Sequence, residues 1–103
     1  MLNDFYGFAY DVRRTTYDGI KMEQTTINEP VTVGAVFRGT LVKPRWFIWK
    51  NRKYVIKETT FSWHSRQGEA AVTHFSVTDG STLFELSLNQ KTLSWRLEKI
   101  VNN

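Results

Sequence analysis

The sequence contains no cysteine, which removes disulfides, thiolate zinc sites and cysteine nucleophiles from consideration. Long apolar runs are also missing: none approaches the roughly 20 residues needed to cross a bilayer, so a soluble protein with no membrane partner is expected. The opening MLNDFYGFAYDVRR has no basic segment ahead of an apolar one, and Asn3, Asp4, Gly7 and Asp11 interrupt its apolar residues. No signal peptide is expected, and the expected location is the cytoplasm. Histidine is scarce. His64 and His74 lack a convergent carboxylate cluster, so no metal site is expected. The six glycines are scattered, and none precedes a helix in the manner of a phosphate loop. No cofactor is implied.

Rings and positive charge, by contrast, are abundant. Aromatic residues make up 15% of the 103 positions, enough for a few large side chains to bury most of a small core. The formal net charge of +4 is concentrated in one place. Residues 43–66 carry seven bases and the single acid Glu58, a local excess of +6, whereas the segments on either side are each at −1. Within that region KPRWFIWKNRKYVIK, residues 43–57, holds six basic and four aromatic side chains with no acid.

From Glu29 onward short alternating segments are punctuated by turn residues, an all-β pattern. VTVGAVF (31–37) puts Val31, Val33, Ala35 and Phe37 on one face, and Pro44 opens the next strand. A two-residue turn at Asn51-Arg52 places Trp49 opposite Tyr54 and Phe47 opposite Ile56, four side chains on one face. The other face then pairs Trp46 with Lys57, Ile48 with Val55 and, at a repulsive cost, Lys50 with Lys53. A second turn at Asp79-Gly80 sets Phe75 opposite Phe84, Val77 opposite Thr82 and His74 opposite Glu85. A four-residue loop, Asn89 to Thr92, sets Leu88 opposite Leu93, Leu86 opposite Trp95 and Phe84 opposite Leu97. The two registers agree on a three-stranded meander whose apolar face is Phe75, Val77, Phe84, Leu86, Leu88, Leu93, Trp95 and Leu97.

With no helix evident to cover that face, the 43–63 hairpin is the expected cover. The expected architecture is a small antiparallel meander forming a sandwich or a partly open barrel of about five to six strands. Residues 29–103 are read as a single all-β domain. Residues 1–28 are read as an N-terminal arm or an extra hairpin around Asp18-Gly19, because Tyr6, Tyr10 and Tyr17 set no periodicity.

The segment PRWFIWKNRKYVIKE, then Trp63, then TLFELSLNQKTLSWRLEKI resembles a family of small uncharacterised bacterial domains. Those share an F-x-W-x-G-R-x-Y hairpin, a downstream Trp and a C-terminal Y/F-E-L…W-R-L. The matching positions are Phe47, Trp49, Arg52, Tyr54, Trp63, Phe84, Glu85, Leu86, Trp95, Arg96 and Leu97, within residues 29–100. Asn51 stands where the family has its turn glycine, and HSRQGEAAV lacks the aromatic cluster that often follows Trp63. The resemblance implies a shared β fold and no particular activity.

The basic aromatic hairpin is the main functional candidate. Arg45, Lys50, Arg52, Lys53, Lys57 and Arg66 are the expected phosphate contacts and Trp46 the expected stacking surface for single-stranded or duplex nucleic acid. In the plainer reading, all four rings are core and the cations solvate an edge, with Lys57 covering Trp46 through a cation–π contact. A protein partner or a second copy meeting Trp46 and Ile48 is the alternative. The row His74–Glu85–Arg96 reads as ordinary cross-strand charge pairing, since no nucleophile can be placed beside it. Ser, His and Glu within SWHSRQGE (62–69) are neighbours in sequence, which is not triad geometry. No catalytic residue is assigned, and a non-enzymatic binding domain is expected.

Overall fold

The computed structural model describes residues 16–17, 20–21 and 23–102. The arm reading of residues 1–15 and the turn positions Asp18 and Gly19 lie outside the described residues. In chain order the strands are β1 (Thr16–Tyr17), β2 (Ile20–Lys21), β3 (Glu23–Pro30), β4 (Thr32–Arg38), β5 (Leu41–Trp49), β6 (Arg52–Val55), β7 (Glu58–Gln67), β8 (Ala70–Thr78), β9 (Leu83–Asn89) and β10 (Trp95–Asn102). β1 and β2 pair antiparallel across positions 18–19.

The remaining eight strands form two antiparallel sheets, β3-β10-β9-β8-β7 and β4-β5-β6. They pack as a sandwich and do not close into a barrel. The expected meander is present as β8-β9-β10, flanked by two strands that the sequence reading did not assign to it. One is β3, which begins before the expected boundary at residue 29 and pairs along β10. The other is β7: the run from Lys53 to Trp63, expected as one arm of the covering hairpin, divides at Ile56-Lys57. Its second half pairs with β8 instead. The Ile56 amide donates to the Arg45 carbonyl at 2.9 Å and the Lys57 amide to the Thr78 carbonyl at 2.8 Å, so consecutive residues belong to different sheets.

All three expected registers are displaced by two residues on the partner strand, that of β9 and β10 as far as a bulge after Leu97. β5 and β6 pair Phe47 with Tyr54 and Trp49 with Arg52, so the turn residues are Lys50 and Asn51 rather than Asn51 and Arg52. Both have positive φ, 52° and 62°, as a type I′ turn requires. This register faces Lys53 with Ile48, and the expected Lys50–Lys53 repulsion never arises. The other two displacements have a common cause. Asp79 Oδ1 accepts from the amides of Ser81 and Thr82 at 3.0 and 2.9 Å, and Asn89 Oδ1 from those of Lys91 and Thr92 at 2.9 and 3.1 Å. Side chains that capture backbone amides in this way hold longer loops open. Val77 consequently faces Phe84, and Leu88 faces Trp95.

A two-residue displacement is one full alternation, so nearly every face assignment survives. The core is Phe47, Phe75, Val77, Phe84, Leu86, Leu88 and Leu97, with Trp49, Tyr54, Ile56 and Trp95 packed against it. Leu93 is the exception. It lies in the 90–94 loop with φ of 60° and is 64% exposed.

The turn chemistry gives two expectations. Replacing Lys50-Asn51 by Asn-Gly removes the steric cost of a positive φ and should stabilise the fold by about 1 kcal/mol, raising the melting temperature by about 4 °C or more. Burial works to raise the Asp79 pKa, but hydrogen bonds from the Ser81 and Thr82 amides and the Ser81 hydroxyl outweigh it and hold the carboxyl below its ordinary 3.8. A depressed folded-state pKa stabilises above the unfolded value, and that contribution is lost as pH falls through the folded value. Urea titrations should therefore show Asp79→Ala less stable than wild type at pH 7, with the gap narrowing as pH falls below the ordinary 3.8.

Candidate nucleic-acid interface

The site is built on the face of β4-β5-β6 turned away from the core. A bulge makes that face possible: Gly34 faces Trp46 while Ala35 faces Pro44, which leaves Arg45 as an extra residue on β5. Without it, strict alternation from Phe47 would direct Arg45 and Lys43 inward. With it, Pro44 is fully buried and Val42 packs on the core. Lys43 falls on the outer face opposite Val36.

The outer face therefore reads in rows: Thr32, Ile48 and Lys53; Gly34, Trp46 and Val55; Val36 and Lys43. Gly34 is there because the indole of Trp46 lies across it. A Cβ at that position would stand 2.1 Å from Trp46 Cε2. Lys53 Nζ sits 5.0 Å from the Trp46 ring centroid, a contact that the plainer reading gave to Lys57. Val36, Ile48 and Val55 are exposed beside the ring. No Asp or Glu occurs between residues 30 and 57, so the whole three-stranded sheet carries cations only. The ion pairs among the described residues use Lys91, Lys99 and His74, none of them in this sheet.

The expected contact residues are distributed unequally. Trp46 and Lys53 share the outer face, and the exposed Arg45 adjoins it at the bulge. Lys50 sits at the turn with its ammonium 4.9 Å from the Trp49 centroid. It also lines a groove of about 410 Å³ with Pro30, Val31, Thr32, Ile48 and Asn51, which continues the face at its Ile48 end. Arg52 faces Trp49 and places its guanidinium 5.1 Å from the Tyr54 centroid, on the core-side edge of the hairpin. Lys57 runs along Gly80 in the 79–82 loop. Arg66 lies eight residues along β7 from Glu58, roughly 27 Å at strand rise, and donates to the Glu69 carbonyl at 3.1 Å. Lys57 and Arg66 therefore stand apart from the Trp46 face.

Gly34 and Lys43 are site residues that sequence reasoning missed. A glycine inside an otherwise β-branched strand is a readable sign of close approach or a bulge, and V-T-V-G-A-V carries it. The displaced pairing also changes the charged row. Arg96 faces Ser87 rather than Glu85 and donates to Asn28 through Nε and the guanidinium, while Lys99 Nζ comes within 3.6 Å of Glu85. His64 and His74 sit on opposite faces of the large sheet, since His64 faces Thr73 and His74 faces Trp63.

No protein-family model, curated protein or solved structure matches the chain. The chemistry of the face itself carries its reading.

Gly34→Ala tests the packing beneath Trp46. It should cost about 1–3 kcal/mol in urea unfolding, the range for forced overpacking, and most of that cost should vanish in a Trp46→Ala background.

Proposed function

We propose that this protein binds nucleic acid through the outer face of β4-β5-β6, with a preference for single strands. The observation that carries the reading is Trp46 laid on Gly34 in a sheet face without carboxylates. A ring backed by glycine leaves no neighbouring Cβ on that side, and a flat aromatic surface can stack an unpaired base. Lys53 covers the ring, and a base would displace its ammonium toward a phosphate. Lys43, Arg45, Lys50 and Lys53 border the face or its groove and supply counterion release, and the three strands themselves carry no acidic side chain; Glu29 of β3 stands at the Lys50 end, where it accepts from Trp49 Nε1 at 3.0 Å. In duplex DNA the bases are already stacked on one another, so only the electrostatic part of the contact is available to it.

A second reading has its own support. Val36, Phe37 and Leu41 are 46, 57 and 70% exposed next to the β4–β5 turn, an apolar tip suited to a protein partner or a second copy.

Fluorescence anisotropy with labelled single-stranded and duplex oligonucleotides separates the two. Four phosphate contacts on a single strand predict about a 50-fold loss of affinity between 50 and 200 mM salt. Trp46→Ala should weaken single-strand binding by about 5- to 150-fold, the worth of one stacked base. Lys43, Arg45 and Lys53 changed together to Glu should abolish binding, whereas Arg66→Glu should leave it nearly unchanged. No binding at low salt, together with concentration-dependent association of the protein, would replace this reading with the second.

A further inference from the structure

The other sheet carries a distinct arrangement on its outer face. Ser65 of β7, His74 of β8, Glu85 of β9 and Lys99 of β10 form a row, one residue per strand. Ser65 Oγ is 2.7 Å from His74 Nε2, and His74 Nδ1 is 3.3 Å from Glu85 Oε2. Lys99 Nζ holds the second carboxylate oxygen at 3.6 Å. The row joins two features that the sequence left apart: Ser65 comes from SWHSRQGE, and His74 and Glu85 come from the charged row.

Hydrogen-bond chemistry orders the chain of contacts. An ionised Glu85 only accepts, so His74 must carry its proton on Nδ1. In the neutral imidazole Nε2 is then a lone pair aimed at Ser65, and the hydroxyl donates to it. This is the nucleophile–base–carboxylate order of serine hydrolases, recognised by geometry rather than by position in the chain. The imidazole is also held in place. Trp63 stacks on it at 5.0 Å and 5° between ring planes, and the His74 and Glu85 side chains are each only 16% exposed.

Two further features concern a substrate. β7 is an edge strand, and its turn to β8 places Gly68 at φ of 63° between the paired residues Gln67 and Ala70. A two-residue turn closes on a hydrogen-bonded pair, so the next pair, Arg66 with Ala71, is the non-bonded one. The Arg66 amide, directly after the nucleophile, therefore points off the sheet edge and can donate to an oxyanion beside Ser65. Phe61 and Trp63 precede Ser65 at alternate positions on the same face and stack on each other at 5.5 Å. They form an aromatic wall leading to the hydroxyl.

We propose that Ser65 is a nucleophilic serine, activated by His74 and Glu85, that takes acyl groups from carboxylic esters with an apolar or aryl acyl part. Ser65 Oγ attacks the ester carbonyl while its proton passes to His74 Nε2. The carbon–oxygen bond to the alcohol breaks, and His74 returns the proton to the departing oxygen. Water, deprotonated by His74, then cleaves the acyl-serine to give the carboxylic acid and the free hydroxyl. The site is independent of the Trp46 face.

The test uses the full chain with an alkyl fluorophosphonate and, separately, 4-nitrophenyl butyrate. The expected result is one phosphonyl adduct, mapped to Ser65 by peptide mass spectrometry, and 4-nitrophenolate release above the buffer rate. Ser65→Ala should abolish both. His74→Gln should slow labelling by about 100-fold or more, the contribution of a positioned base, and Glu85→Gln by a smaller factor. Melting curves confirm that each variant is folded, and the urea-unfolded chain serves as a control that should not label. No adduct on the folded wild-type chain, an adduct on other residues only, or equal labelling in folded His74→Gln and wild type would overturn the proposal.

Discussion

The two sheets meet around one buried ring. Phe47 is completely buried, stacked on Tyr54 of its own sheet at 4.9 Å and meeting Phe84 of the other edge-on at 5.0 Å. Tyr54 reaches Phe84 as well, at 5.4 Å, so three rings fill the space where the layers come together. Pro44 is the one other buried side chain of the small sheet. Its orientation, and with it the direction of every cation on its outer face, follows from keeping Phe47 inside. The chain leaves the large sheet at Val31 and returns at Lys57, which makes the small sheet a folded-over insertion held down by that aromatic contact.

Bulges do for the faces what Phe47 does for the layers. The extra residue at Arg45 brings Pro44 and Val42 inward while leaving Trp46 and Lys43 outside. A second, at Thr60, separates Thr59 from Phe61 in the pairing with β8, and the Thr60 hydroxyl donates to the Ser76 carbonyl at 3.1 Å. A third lies between Leu97 and Lys99, where Glu98 accepts from the Ser87 hydroxyl at 2.6 Å. Each changes which side chains stand together outside without disturbing the apolar set inside.

This explains what was legible beforehand. Alternation identified Phe75, Val77, Phe84, Leu86, Leu88 and Leu97 as one face because loop errors displaced strands by whole alternations, to which period-two reasoning is blind. The hairpin aromatic row was readable for the same reason. The loops were harder: Asp79 and Asn89 hold backbone amides with their side chains, and a two-residue turn chosen from Asp-Gly alone ignores that competition. β3 was obscure because EQTTINEP is polar and its side chains are mostly exposed; its place comes from backbone pairing with β10. Of the candidate contacts, Trp46 and Lys53 fell together, Arg45 joined them through its bulge, and Lys43 became visible only once that bulge was known. The Ser65–His74–Glu85 row could not be read from adjacency, since it takes one residue from each of three strands.

The Trp46–Gly34 contact ties two distant positions into a single inheritance. A side chain at residue 34 meets the indole of residue 46 unless the ring shifts, and a larger residue at 34 costs less once 46 has become small. Loss of the ring therefore opens position 34 to drift, and once a side chain has settled there the return of the ring carries the cost of that clash. Among descendants of this chain, glycine at 34 and tryptophan at 46 should be kept together or surrendered together.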